Sequence, residues 1–377
     1  MNTSVIENGI GEIVIGTVDM LTLRDFRNYE VAEVTLDSGF NVIEGTNAQG
    51  KTNILEALYL LATTRLLRSH KDSEAIREGA EKTVVTARLA GSGTELTVTL
   101  ERGARKRALL NGLGLPRASD LIGRLPCVCV STVDLEIVRG DPAERRLFLD
   151  LELSAMSGAY LHHLALYKRA LEQRNALLRD SRDRFFPPES FEIWEDQLAS
   201  HGSELRRLRQ EFILELLPYA RLAHQEMGSG EALEMAYRPK DEARDYTSLL
   251  ANLAECRMHD IARGGTSVGP HRDDLEIYVG GKEARQFGSQ GQQRTAVIAV
   301  KLATLTLRRN RYGQPPMLLL DDILSDLDEV RRARLVEMVL KESVQTVLTC
   351  TEASAAGEAI LSRSKRFSVL AGRIKET

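Results

Sequence analysis

Four cysteines, Cys127, Cys129, Cys256 and Cys350, offer no ligand spacing for zinc. Cys127-Val128-Cys129 alternates as a strand does, so one of its thiols is expected to point inward as a small apolar group. No apolar run approaches the roughly 20 residues of a membrane-spanning helix. Glu7 and Glu12 stand where a secretion signal has a basic start and an apolar core, so a cytoplasmic protein is expected. A surplus of positive charge is missing too, since 50 Lys and Arg face 54 Asp and Glu for a net −4. That excludes a globally basic nucleic-acid binder and leaves local stripes. Candidates are Arg102, Arg105, Lys106 and Arg107; Arg206, Arg207 and Arg209; Arg308, Arg309 and Arg311; and Arg331, Arg332 and Arg334. Such runs are ordinarily solvated helix faces or hairpin tips. No Asn-Lys-x-Asp element for reading guanine occurs.

What is present is an ordinary globular chain of 377 residues, 43% hydrophobic and 28% charged, long enough for two or three domains. Its sharpest feature is Gly45-Thr46-Asn47-Ala48-Gln49-Gly50-Lys51-Thr52, which fits the phosphate-loop pattern G-x-x-x-x-G-K-[ST]. Phe40 to Glu44 reads as a buried strand before it. Thr52 to Thr63 reads as a helix after it, with Ile54, Leu55, Leu58 and Leu61 on one side. Gly45 and Gly50 permit a tight turn whose amides face phosphate oxygens, and the helix N-terminus adds partial positive charge. Lys51 would reach the β- and γ-phosphates of a nucleoside triphosphate, and the Thr52 hydroxyl would ligate Mg²⁺.

A phosphate-loop enzyme also needs an acidic strand, and Met317 to Leu320 running into Asp321-Asp322 supplies one. Asp321 would hold Mg²⁺ through a water, and Asp322 is the candidate base for the attacking water. The plainer alternative is two acids capping the next helix. Ser289-Gln290-Gly291-Gln292-Gln293-Arg294 opens a helix expected over Thr295 to Leu307, and Ser289 offers an anion its hydroxyl and free amides. Lys51 and Ser289 are 238 residues apart, whereas Ser289 and Asp321 are 32 apart.

Between the motifs, residues 15 to 44 predict two or three strands, and residues 83 to 113 a β-meander with a hairpin at Asn111-Gly112. From Asp150 to Met227 the periodicity is helical, broken at Pro187-Pro188. Two arms of about 30–40 residues would each span about 45–60 Å. Gly269-Pro270-His271-Arg272-Asp273-Asp274 suggests a metal cluster at first sight, but strand alternation would split the two Asp and no second His is near. A structural role is expected there.

Phosphate loop, distant S-x-G-Q, acidic strand and S-x-L-D (Ser325 to Asp328) is the motif order of ABC-type ATPases. Asn47 and Asn53 resemble their chromosome-maintenance and repair branch, which holds Rad50, the SMC proteins and RecF. Within it the chain resembles the RecF family over nearly its whole length, through Leu23 to Tyr29, Pro142 to Asp150, Gly269 to Leu275 and Leu318 to Asp328. One departure is Ser131 to Leu135, where the family's usual Pro and Glu are missing.

The resemblance implies an α/β fold: a Rad50-like ABC-type ATPase head, with mixed β-sheets around the phosphate-loop core, plus an inserted α-helical lobe. Residues 14–149 and 263–377 would form the head and residues 150–262 the lobe. It implies a weak, DNA-stimulated ATPase in which ATP glues two copies head to tail. Lys51 and Thr52 hold the nucleotide of one copy, and Ser289, Gly291 and Gln292 of the other cap its γ-phosphate. Duplex or gapped DNA, RecR-like and RecO-like mediators, recombinase loading and SOS induction are implied in the same way. Thr349 or Thr351 would sense the γ-phosphate, and Arg24 and Asn28 are candidates for reading adenine.

Overall fold

The computed structural model describes residues 16–377 apart from residues 70, 314 and 343; the stretch read for Glu7 and Glu12 lies outside the described residues. Contacts divide the chain into two units. One holds the described residues up to Leu135 with Tyr219–Gly230 and Arg294–Thr377; the other holds Glu136–Pro218 and Glu231–Gln293.

The first unit begins with strands β1 (Val18–Phe26), β2 (Tyr29–Thr35) and β3 (Phe40–Glu44) and helix α1 (Lys51–Thr63). Strands β4 (Lys82–Leu89), β5 (Glu95–Glu101), β6 (Arg107–Leu110), β7 (Leu113–Gly114) and β8 (Cys127–Ser131) follow. An antiparallel sheet is ordered β2-β1-β4-β5-β6-β7. Its strands alternate as one-sided sheets do: Val85, Ala87 and Leu89 of β4 and Leu96, Val98 and Leu100 of β5 are buried. Asn111 and Gly112, at φ 51° and 76°, make the two-residue turn of the expected hairpin. The buried face covers α1 through Ile54, Leu55, Leu58 and Leu61.

The second unit contains α2 (Glu136–Arg139), α3 (Pro142–Met156) and α4 (Gly158–Asp180). Helix α5 (Glu189–Glu226), with Pro218 inside it, follows. Then come β9 (Leu233–Arg238), α6 (Tyr246–Glu255), α7 (Arg257–Arg263), β10 (Asp274–Val279), β11 (Lys282–Glu283) and α8 (Ala284–Phe287). The strands form an antiparallel sheet, β11-β10-β9. This departs from the expected lobe of residues 150–262 at both ends. Pro142 sits at a helix start, so helix begins before residue 150. Strand β10, beyond residue 262, pairs with β9 and packs on α3. The arms are also unequal, 23 residues in α4 against 38 in α5, because Ser157 leaves helical geometry (φ −146°) and caps α4 by accepting from the Tyr160 amide.

Helix α9 (Gln290–Tyr312) starts five residues earlier than the spacing predicts. It leads to β12 (Met317–Asp321), α10 (Glu329–Glu342), β13 (Thr346–Cys350), α11 (Glu358–Leu361), β14 (Ser364–Leu370) and β15 (Arg373–Glu376). The second sheet of the first unit is ordered β15-β14-β3-β13-β12-β8, parallel except for β15. Both faces of this sheet are covered, as a parallel sheet requires: the edge strand β8 and the inner strands β12 and β13 expose none of their residues. Cys127 and Cys129 are both buried in one core cluster, because residues two apart in a strand share a face, so the expectation that one of the two thiols points inward is corrected to both.

Several supposed surface cations are core residues. In the second unit Arg206 is buried against Asp273 (2.8 Å) and Asp241 (2.7 Å), and Arg209 against Asp150 (2.8 Å), the Tyr160 hydroxyl (2.9 Å) and the Pro270 carbonyl (2.8 Å). Only Arg207 of that run is solvated. In the first unit Arg308 is buried and donates to the Cys127 carbonyl (3.0 Å). His271 also finds its partners within the second unit. Its Nδ1 lies 2.6 Å from the Tyr167 hydroxyl and its Nε2 3.0 Å from the Thr266 carbonyl. Burial pushes its pKa down to about 4. Asp273 accepts from Arg206, the Tyr237 hydroxyl and the Lys240 amide, while Asp274 pairs with Arg145.

Candidate nucleotide site

The carboxyl ends of β3, β13, β12 and β8 lie side by side: Glu44 is in register with Cys350, Thr349 with Asp321, and Asp321 with Ser131. The phosphate loop leaves β3 at this edge and enters α1 at Lys51. Its shape depends on backbone that L-residues avoid. Gly50 has φ 115°, and a Cβ there would come within 2.7 Å of both side-chain amide atoms of Asn28 and 3.0 Å of the Tyr29 hydroxyl. Ala48, at φ 65°, accepts the left-handed region without that freedom.

Lys51 is buried, and its ammonium donates to the carbonyls of Gly45 and Thr46 (3.0 Å), at the centre of the loop. The Thr52 hydroxyl donates to Asp321 Oδ1 at 2.8 Å. Thr349 on β13 donates to the same oxygen at 2.8 Å and accepts from the Asp322 amide at 3.0 Å. Burial raises the Asp321 pKa, and the two hydroxyl donors oppose that rise. Asp322 turns out of the strand at φ 51°, and Ser325 donates to its Oδ1 at 2.8 Å. A cavity of about 340 Å³ is lined by Asn47, Ala48, Gly50, Lys51, Thr52, Asn53, Arg68 and Asp322.

The phosphate loop, Asp321 and Asp322 are thus brought together from residues 269 positions apart at Thr52 and Asp321. Ser289, Gly291 and Gln292 belong to the second unit. There the Ser289 hydroxyl accepts from the Gln292 amide (3.2 Å) and the Gln292 side chain accepts from the Ser289 amide (2.7 Å), a reciprocal cap at the start of α9. Gln292 also donates to Glu231 at 2.6 Å.

Thr349 holds the two acids from behind, fully buried, so its contacts are with Asp321 and Asp322. Asn28 braces the loop by donating to the Gln49 carbonyl (2.8 Å) and accepting from Asn53 (2.8 Å), while Arg24 is an exposed residue of β1. In the departing segment after β8, Asp134 accepts from the Ser131 amide (2.7 Å) and hydroxyl (2.8 Å) and lies 3.6 Å from Lys301.

Two contributors escaped the sequence reading. Arg68 lines the cavity, held by Asn53 Oδ1 at 2.6 Å. Glu56, fully buried on α1, accepts from Arg27 (2.8 and 2.9 Å) and from the amides of Leu67 (3.1 Å) and Arg68 (3.2 Å). An acid on the apolar face of a helix was the available signal, because it must find a partner. Among the described residues no group of three or more His, Cys, Asp or Glu is arranged to hold a metal, and no helix is long and apolar enough to cross a membrane.

The family described as the RecF/RecN/SMC N terminal domain matches residues 17–369. A DNA replication and repair protein RecF of Symbiobacterium thermophilum is 40% identical over 88% of this chain and 90% of its own length. Another, of Synechococcus sp. (strain JA-3-3Ab), is 39% identical over 94% and 96%. The solved structure described as the recombination mediator protein RecF-ATP in the RecFOR pathway superposes with a TM-score of 0.87 at 27% identity, covering 96% of this chain and 97% of that one. An Smc head bound to the C-winged helix domain of ScpA (TM-score 0.55, 15% identity, 96% of each chain) shares the fold. The architecture is that of an ABC-type ATPase head of the RecF and Smc kind.

Proposed function

Because the chain belongs to the RecF/RecN/SMC family, we propose that it is an ATP-dependent DNA-binding protein of recombinational repair and replication-fork maintenance. The observation that carries this reading is the convergence of Lys51, Thr52 and Asp322 on one cavity, with Asp321 bonded to Thr52. ATP is the substrate, taken to ADP and phosphate. The amides of residues 45–52 and the N-terminus of α1 bind its phosphates, and Lys51 offsets the charge on the β- and γ-groups. Thr52 and Asp321 are hard oxygen donors 2.8 Å apart, a set that suits Mg²⁺, with Asp321 acting through a water. When bound, the ion neutralises charge that develops on the phosphates. Asp322 orients and deprotonates the attacking water, its carboxylate steered by the Ser325 hydroxyl.

The 238-residue separation of Lys51 and Ser289 supports a two-copy site. Ser289, Gly291 and Gln292 of one copy cap the γ-phosphate held by the other, so ATP closes a head-to-tail dimer on duplex or gapped DNA. Slow, DNA-stimulated hydrolysis reopens it. A contact made only in the closed dimer is what lets the nucleotide shift the equilibrium. RecR-like and RecO-like mediators, recombinase loading and SOS induction complete the reading, which rests for these on the RecF relatives. Analytical ultracentrifugation with ATP, ADP or no nucleotide, with and without gapped DNA, tests it. Dimers should form with ATP, fail to form in Ser289→Arg, and persist in Asp322→Asn, whose turnover should be nearly lost. A chain that stays monomeric with ATP sinks the two-copy mechanism, and unchanged turnover in Asp322→Asn sinks the assignment of the base.

A further inference from the structure

We propose that the β14–β15 turn is a clasp that positions the phosphate loop, with Gln49 as its pin. The proposal rests on the reading of the loop as a nucleotide site and assigns a new role at that site. Leu370 pairs with Arg373, which leaves Ala371 and Gly372 as a two-residue hairpin loop at φ 47° and 72°. Both angles are positive, as in a type I′ turn, where Asn-Gly is the usual pair and Ala is strained.

The strained turn is held against the loop. The Ala371 amide donates to Gln49 Oε1 at 2.7 Å, and the Gly372 amide donates to the Gln49 carbonyl at 3.2 Å. Asn28, on the β1–β2 turn, donates to that same carbonyl at 2.8 Å. The two turns meet each other, since a Cβ on Gly372 would fall against the Asn28 carbonyl oxygen. One step earlier along β14, the Val369 carbonyl sits 2.6 Å from where a Cβ on Gly45 would be. The same hairpin is therefore bonded to the fifth residue of the loop and lies close against the first.

The direction of these bonds matters. Those from Ala371, Gly372 and Asn28, like the Tyr29 hydroxyl donating to the Gly50 carbonyl (3.0 Å), end on loop oxygens. A trans peptide points its N–H opposite its C=O. Anchoring the carbonyls at Gln49 and Gly50 from outside therefore turns the following amides inward, the orientation an anion needs. Gln49 occupies a free position of the motif, yet its side-chain oxygen is the acceptor for the Ala371 amide.

The test uses the full chain, with ATPγS as the probe. In nucleotide-free protein, Gln49→Ala should speed amide exchange at Ala371 about tenfold while leaving mid-strand Phe367 unchanged. Its affinity for ATPγS should fall roughly fivefold, as expected for one lost hydrogen bond. The KM for ATP should rise by a similar factor with kcat within about twofold, because Lys51 and Asp322 are intact. Gly372→Ala, which lifts the turn from Asn28, should act in the same direction. Unchanged Ala371 exchange in Gln49→Ala, or faster exchange with unchanged ATPγS affinity, overturns the clasp. The two failures look different: a wild-type chain that binds no ATPγS sinks the reading of the site, whereas normal wild-type binding matched by Gln49→Ala sinks the clasp alone.

Discussion

Glu56→Ala should be strongly damaging although it lies outside the motifs. The carboxylate is fully buried on α1 and satisfies four donors: two from the Arg27 guanidinium at 2.8 and 2.9 Å, and the amides of Leu67 at 3.1 Å and Arg68 at 3.2 Å. Arg68 itself approaches to 3.6 Å. Removing one partner of a buried ion pair leaves the other charge unpaired, which costs about 3–5 kcal/mol. In a unit of a few hundred residues each kcal/mol lowers Tm by about 2–4 °C, so the expected fall is roughly 10 °C. The consequence extends to the candidate site, because Arg68 lines the cavity beside the phosphate loop and its backbone is pinned by this carboxylate. Nucleotide affinity should drop about tenfold beyond the effect of global unfolding. Glu56→Gln keeps the volume and one acceptor, and should lose about half as much stability. Denaturant unfolding and ATPγS titration measure the two effects. A Glu56→Ala protein within about 1 kcal/mol of wild type would refute the claim that this carboxylate organises the segment after α1.

Arg206→Ala should destabilise the second unit by about 3–5 kcal/mol, since it strands Asp273 and Asp241. Arg207→Ala removes exposed pairs with Glu204 and Glu211 and should cost under about 1 kcal/mol; equal thermal shifts for the two would refute the assignment. His271 has a folded-state pKa of about 4 against an ordinary 6.5, so the folded chain resists a proton that the unfolded chain accepts. Its contribution is whole above about pH 6.5 and is lost as pH falls toward 4, reaching about 2 kcal/mol at pH 5. His271→Gln should show a smaller loss of stability between pH 7 and pH 5 than wild type, and parallel losses would sink the idea.

The segments of the candidate site were legible where they are local. A phosphate loop is eight consecutive residues whose types answer to backbone geometry and charge, so Gly45 to Thr52 announced themselves, and the buried run before Asp321 marked its strand. The β-meander and the turn at Asn111-Gly112 were legible for the same reason, since alternation and positive φ are local demands. The fate of the arginines was not. Nothing near Arg206 in sequence distinguishes it from Arg207; the distinction is made by Asp241 and Asp273, 35 and 67 residues away. The early start of α9 was missed because Ser289 and Gln292 cap one another through side chains whose pairing has no apolar period.

The sequence by itself determined that a phosphate loop, an acidic strand and a distant S-x-G-Q segment exist and which residues compose them, because each is a short stretch recognised by residue type. Only the tertiary structure decided what surrounds them. It put Thr349 behind both acids, Glu56 and Arg68 beside the cavity, and the Ala371–Gly372 turn against Gln49. These are contacts between segments far apart along the chain. They are selected by the register of the parallel sheet and by burial, which no single segment carries in its own composition.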